Sequence, residues 1–120
     1  MLVVDDSEVF RNVLCAVVAA APGFQVVGVA ATGREALDLV ALLDAQFVLV
    51  DVNMREVDGI ETARRIRRRH PGVLVLLLTA TRGASVRDTS LPVADKRDLS
   101  PQWLVDFWQR KRPAVSETSG

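Results

Sequence analysis

Short apolar runs alternate with longer amphipathic stretches along most of the chain. Leu2-Val3-Val4 is a short run closed by Asp5. Ser7 is placed to cap a helix whose buried stripe would be Val9, Phe10, Val13, Leu14, Val17 and Val18, at spacings of three and four. Pro22-Gly23 ends it, and Phe24 to Ala30, with β-branched residues at 26, 27 and 29, predicts a second strand. Thr32 and Glu35 have capping-box spacing, opening a helix that buries Ala36, Leu37, Val40 and Ala41. Phe47 to Val50 is continuously apolar, as in a strand covered on both faces, and it ends at Asp51. Asp58-Gly59-Ile60-Glu61 opens a third helix that runs through Arg69 and stops at His70-Pro71-Gly72. Val73 to Leu78, the most apolar run, predicts a central strand ending at Thr79.

The last third is less regular. Arg82 to Ser90 is polar and predicts a short or frayed fourth helix. Leu91 to Ala94 predicts a last strand, which Pro92 confines to an edge. Ser100-Pro101 supplies an N-cap and a first-turn proline for a helix carrying Trp103, Leu104, Phe107 and Trp108. Pro113 to Gly120 is polar. Strands alternating with helices, with doubly apolar central strands, predict an α/β fold whose parallel sheet is covered on both faces. One domain over 1–112 with a tail or linker stub over 113–120 is the expected organisation.

Composition narrows the classes. Apolar residues make up 49% and charged residues 25%, as in a globular domain, and only 5% is aromatic, so the core must be mainly aliphatic. Fifteen acids balance fifteen bases, so no overall field draws the chain to nucleic acid or an anionic membrane. A single cysteine, Cys15, makes neither an internal disulfide nor a thiolate zinc cluster, and reads as a small apolar residue. The longest apolar run, Val13 to Ala21, is about half the roughly 20 residues of a membrane span, and the chain reaches Asp5 and Asp6 with no basic segment and apolar stretch before them, so no signal peptide is expected. A cytoplasmic location is the expectation. The arginines at 64, 65, 67, 68 and 69 read as a solvated helix face, and His70 as an exposed C-terminal cap. Trp103 and Trp108 read as core, with a partner surface as the alternative.

Ligands of parallel sheets bind beyond the carboxyl ends of the strands. Those ends carry Asp5-Asp6, Asp51, Thr79 and Lys96. Three carboxylates and one ammonium in one cleft sum to −2, a charge suited to a divalent cation with oxygen ligands such as Mg²⁺. A carboxylate can attack phosphorus to form an acyl phosphate, while a hydroxyl and an ammonium hold phosphoryl oxygens.

Four motifs carry a family resemblance. They are Val-Val-Asp-Asp-Ser (3–7), Val-Asp-Val-Asn-Met-Arg-Glu-Val-Asp-Gly (50–59), Leu-Leu-Thr-Ala (77–80) and a late Lys96. Together they resemble the receiver domain of bacterial two-component response regulators, from the first residues to about Arg112. The resemblance implies a flavodoxin-like sheet in strand order 2-1-3-4-5. It implies that Asp51 accepts a phosphoryl group from a sensor histidine kinase, and that Asp5, Asp6, Asp51 and the backbone carbonyl of Asn53 hold Mg²⁺. Thr79 and Lys96 would then bind phosphoryl oxygens beside a small Ala80, with Asn53 and Thr81 flanking the site. A homodimer through the fourth helix, fifth strand and fifth helix is a further implied partner arrangement.

The sequence also departs from that family. Arg55 stands where a proline usually follows the methionine, Arg97 where a proline usually follows the lysine, and Val93 where an aromatic is usual. A pseudo-receiver that docks or dimerises without a phosphorylation switch is therefore the alternative. A small Mg²⁺-dependent phosphohydrolase is a weaker one, because no Asp-x-Asp pair follows the first strand. The domain implies self-phosphorylation and dephosphorylation rather than turnover of a diffusible substrate. Residues 23–28 and 32–37 resemble receivers attached to helix-turn-helix transcription regulators. No such output domain fits after the receiver within 120 residues, so the expectation is either a single-domain shuttle or a receiver whose output domain was removed, with DNA a partner only through such an attached domain.

Overall fold

The computed structural model describes residues 1–52, 59–79 and 91–112. Five strands form one parallel sheet: β1 (Leu2–Val4), β2 (Gly28–Ala30), β3 (Phe47–Asp51), β4 (Leu74–Thr79) and β5 (Val93–Asp95). Their spatial order is β2-β1-β3-β4-β5, the order the resemblance implies. The helices are α1 (Glu8–Ala20), α2 (Gly33–Leu43), α3 (Gly59–Arg69) and α4 (Pro101–Lys111), with a short 3₁₀ turn over Lys96–Asp98. The predicted fourth helix over Arg82 to Ser90 lies outside the described residues. The helix opened by Ser100-Pro101, fifth in the sequence reading, is α4.

The period-2 alternation of the strands sorts their side chains into two cores. Val3, Phe47, Leu49, Leu76 and Leu78 meet Leu14 and Val18 of α1 and Leu104 and Phe107 of α4 on one face. Leu2, Val4, Val48, Val50, Val75 and Leu77 meet Ala36 and Val40 of α2 and Ala63 and Ile66 of α3 on the other. All five β3 residues are buried, which explains why that run is apolar without a break. Each fully buried aliphatic side chain contributes about 1.5–3 kcal/mol, so the sheet holds most of the stability.

The element ends follow local chemistry. Ser7 Oγ accepts from Phe10 N at 3.4 Å, Thr32 Oγ1 from Glu35 N at 3.1 Å and Ser100 Oγ from Trp103 N at 3.0 Å. Glu35 reaches back to accept from Ala31 N at 2.8 Å, closing the predicted box one residue early. Ser100→Ala removes the cap of α4, whose Leu104 and Phe107 are core, and should cost about 1 kcal/mol in a urea titration.

Several boundaries differ from the sequence expectation. β2 starts at Gly28 rather than Phe24, because β1 offers only Leu2–Val4 for pairing. Phe24 instead lies edge-on to Phe47 and Trp108, with ring centroids 6.1 and 6.2 Å away. β4 starts one residue late, as Val73 N donates to His70 O in the preceding turn. β5 is Val93–Asp95, while Pro92, lacking an N–H, still accepts from Leu77 N at 3.0 Å. On α2, Ala41 is exposed rather than buried.

The largest correction concerns α1. Only Leu14 and Val18 are buried, whereas Val9, Phe10 and Val13 are 71, 37 and 50% exposed. The apolar arc is too broad for one contact face, so the sheet covers only the part centred on Leu14 and Val18. Trp103 and Trp108 are half-buried and pack against the core: Trp108 stacks on Phe47 at 5.5 Å and Trp103 on Phe107 at 5.1 Å. The five arginines of α3 are exposed, with Glu61 pairing to Arg65 at 3.0 Å. Among the described residues, no helix is long and apolar enough to cross a membrane.

Candidate functional site

Parallel register brings the carboxyl ends of β1, β3, β4 and β5 to one rim. Val4 pairs with Val50, Asp51 with Leu78, and Thr79 with Asp95, so the residues after these positions converge. Asp5, Asp6 and Asp51 each offer a carboxylate oxygen, and these oxygens lie within 4.8 Å of one another. Asp5 is wholly buried, Asp51 is 5% exposed and Asp6 is the more open of the three.

Lys96 crosses from the opposite side of the rim. Its Nζ donates to Asp5 Oδ2 at 2.8 Å and lies 3.4 Å from Asp51 Oδ1, with the lysine side chain only 7% exposed. Its position follows from a local device. Asp95 accepts from Arg97 N at 2.8 Å and from the Arg97 guanidinium at 3.0 and 2.5 Å, fixing the turn with Lys96 between them. Asp95, chiefly through that hydrogen bond, also holds the Arg97 guanidinium above its ordinary pKa range. Arg97, which stands at the place of the family's usual proline, thus has a structural role of its own. Thr79 closes β4 beside Asp51 and is 6% exposed.

Asp5 is held by three hydrogen bonds. Its Oδ1 accepts from Ser7 N at 2.9 Å, its Oδ2 from Lys96, and its backbone carbonyl from Arg11 Nη1 at 2.8 Å. The donor set suits a hard cation: three carboxylates and one ammonium sum to −2, and every available ligand atom is oxygen. Asp6, less buried and bordering the same space, has the most accessible carboxylate for such an ion. Asn53, Ala80 and Thr81 lie outside the described residues, as does Arg55.

The structure also gives roles that the sequence reading did not assign. Phe10, placed in the buried stripe of α1, instead lies against Lys96, whose Nζ is 3.8 Å from the ring centroid. Arg11, on the same turn, ties α1 to β1. Gly59 fits against β3 so closely that a Cβ there would stand 1.8 Å from the Asp51 carbonyl oxygen.

Comparison with known proteins places this arrangement. The family described as response regulator receiver domain matches residues 1–94. The chain is 42% identical over 96 residues to protein-glutamate methylesterase/protein-glutamine glutaminase 2 of Anaeromyxobacter dehalogenans, covering 79% of this chain and 28% of that one. It is 38% identical over 103 residues to the protein-glutamate methylesterase/protein-glutamine glutaminase of a Nocardioides species, covering 85% and 28%. The chain thus spans well under a third of the length of these relatives. The response regulator domain of Thermotoga maritima CheB superposes with a TM-score of 0.77 at 26% identity, covering 93% of this chain and 96% of that one. A CheY-like receiver domain protein of Methanospirillum hungatei shares the fold at TM-score 0.78 and 20% identity, over 99% and 96%. By fold, strand-end chemistry and sequence, the chain belongs to the response regulator receiver domain family.

Proposed function

We propose that the protein is the phosphoacceptor of a two-component relay, taking a phosphoryl group from a sensor histidine kinase onto Asp51. The observation that carries this reading is the meeting of three carboxylates and Lys96 at the strand ends, with Asp51 at the centre of the sheet. An Asp51 carboxylate oxygen attacks phosphorus, the P–N bond to the donor imidazole breaks, and its electron pair stays on that nitrogen. Water later attacks the same phosphorus, returning the carboxylate and releasing inorganic phosphate.

Asp5, Asp6, Asp51 and the carbonyl of Asn53 would hold Mg²⁺, which when bound neutralises charge on the transferring group. Lys96 and the Thr79 hydroxyl hold phosphoryl oxygens. Lys96 then exchanges its contact with Asp51 for one with the phosphoryl group. Any surface change follows from the difference between those two sets of contacts. The receiver runs to Arg112, with 113–120 a tail or linker, and acts in the cytoplasm. Its relatives suggest a protein-glutamate methylesterase as output; a transcription regulator is the other output the sequence suggests. A docking module without a switch would leave association unchanged on phosphorylation, whereas a conventional receiver would dimerise or rebind through β5, α4 and the segment preceding β5.

The test uses phosphoramidate, a small donor with a P–N bond. Borohydride reduction of an aspartyl phosphate leaves homoserine, and peptide mapping should find it at position 51. Homoserine at Asp5 or Asp6, or at none of the three, would overturn the assignment.

A further inference from the structure

Lys96 is enclosed on three sides: Asp5 at 2.8 Å, Asp51 at 3.4 Å and the face of Phe10 at 3.8 Å. The first two contacts belong to the site already described. The third joins α1 to it through a closed circuit. Asp5 Oδ1 accepts from Ser7 N, Ser7 Oγ accepts from Phe10 N, the Phe10 ring receives the Lys96 ammonium, and Lys96 donates back to Asp5 Oδ2. A lysine side chain loses much rotamer freedom when it is fixed, and the negative face of a phenyl ring attracts an ammonium more strongly when that ammonium is largely withdrawn from water. Phe10 itself is 37% exposed and belongs to neither of the two cores.

We infer that Phe10 is a positioning residue, whose ring holds the Lys96 ammonium at the place where it meets the phosphoryl group. The inference rests on the phosphoacceptor reading and adds a group to it. With the ring gone, Lys96 gains rotamers and water, and the contact with a phosphoryl oxygen must first restrict both. An aliphatic residue of similar size covers the lysine but offers no π face, so shape and ring charge are separable.

The experiment compares wild type with Phe10→Leu, Phe10→Trp and a trifluorophenylalanine placed at position 10, which keeps the shape and weakens the negative face. The first readout needs no phosphodonor: ring current should shift the Lys96 ε-methylene protons upfield in wild type and Phe10→Trp, and not in Phe10→Leu. The second is the rate of phosphorylation by phosphoramidate with Mg²⁺. It should fall between about 2- and 30-fold in Phe10→Leu, the range of a cation–π contact from exposed to desolvated settings. It should fall partway in the fluorinated protein and stay within about 2-fold in Phe10→Trp. Wild-type rates in both Phe10→Leu and the fluorinated protein would overturn the inference while leaving Asp51 as acceptor. A loss in Phe10→Leu with none in the fluorinated protein would also overturn it, in favour of packing alone. A wild-type protein that takes no phosphoryl group, yet shows the upfield shift, would overturn the phosphoacceptor reading instead.

Discussion

Gly59→Ala is expected to destabilise the protein by about 3 kcal/mol or more, a larger cost than the same change at Gly23, Gly28 or Gly72. The new Cβ would lie 1.8 Å from the Asp51 carbonyl oxygen, 2.8 Å from its carbon and 2.9 Å from Val52 Cα. All three are backbone atoms, so no side chain can swing aside. Either α3 or the end of β3 must move, and β3 is buried along its whole length. The displacement acts on the peptide that carries Asp51, so the residual folded protein should also accept phosphoryl groups slowly. Gly72→Ala is the control: nothing lies within 4 Å of a Cβ there, and the backbone is not left-handed. That change should be neutral or stabilise by up to about 1 kcal/mol through the unfolded chain. Urea titrations of the two variants check both statements, and equal midpoints would contradict the account.

Lys96→Met carries the second large expectation, about 3 kcal/mol of destabilisation in metal-free buffer. Lys96 is the ammonium between two buried carboxylates, Asp5 and Asp51, and removing one charge of a buried ion pair is strongly destabilising. The methionine keeps the aliphatic volume, so the loss reports charge rather than a cavity. Two further outcomes separate this cause from general damage. Mg²⁺ should recover more stability in Lys96→Met than in wild type, since the ion then supplies positive charge between these acids in place of the lysine. Lys96→Met should also cost less in an Asp51→Asn background, where one fewer carboxylate loses its contact with the ammonium. An unchanged midpoint for Lys96→Met would show that Lys96 does not serve as their counter-charge.

The sequence displayed the fold through periodicity. The β3 run, the capping residues Ser7, Thr32 and Ser100, and the change from period 2 to spacings of three and four gave the order of the strands and α-helices among the described residues directly. Hydrogen-bond partners were harder to read. β2 shrank because its partner strand is three residues long, a fact held in β1 and not in the Phe24 to Ala30 segment. The exposed side of α1 was hidden for a related reason. Its apolar arc shows which residues are able to face a core, and the width of the sheet decides how many do.

The candidate site divides in the same way. Acids at strand ends are visible in a sequence because each follows an apolar run, and the structure brings Asp5, Asp6, Asp51 and Lys96 together. The groups that hold them were not visible singly. Phe10 has the periodicity of a core residue, Arg97 stands where a proline is usual, and Gly59 resembles any glycine at a helix start. Each acquires its role from a neighbour distant in sequence: Lys96 for Phe10 and the Asp51 carbonyl for Gly59. Arg97 differs, since its partner Asp95 is two residues away. There the resemblance drew attention to the absent proline rather than to the adjacent aspartate.

The central claim is that Asp51 accepts a phosphoryl group at a site that requires a divalent cation. Intact-mass spectrometry of wild type and Asp51→Asn, incubated with a small phosphodonor with and without Mg²⁺, tests it most directly. The account predicts one phosphoryl adduct in wild type with Mg²⁺, little or none without it, and none in Asp51→Asn. A folded wild-type protein that gains no adduct, or an adduct that persists in Asp51→Asn, would contradict it.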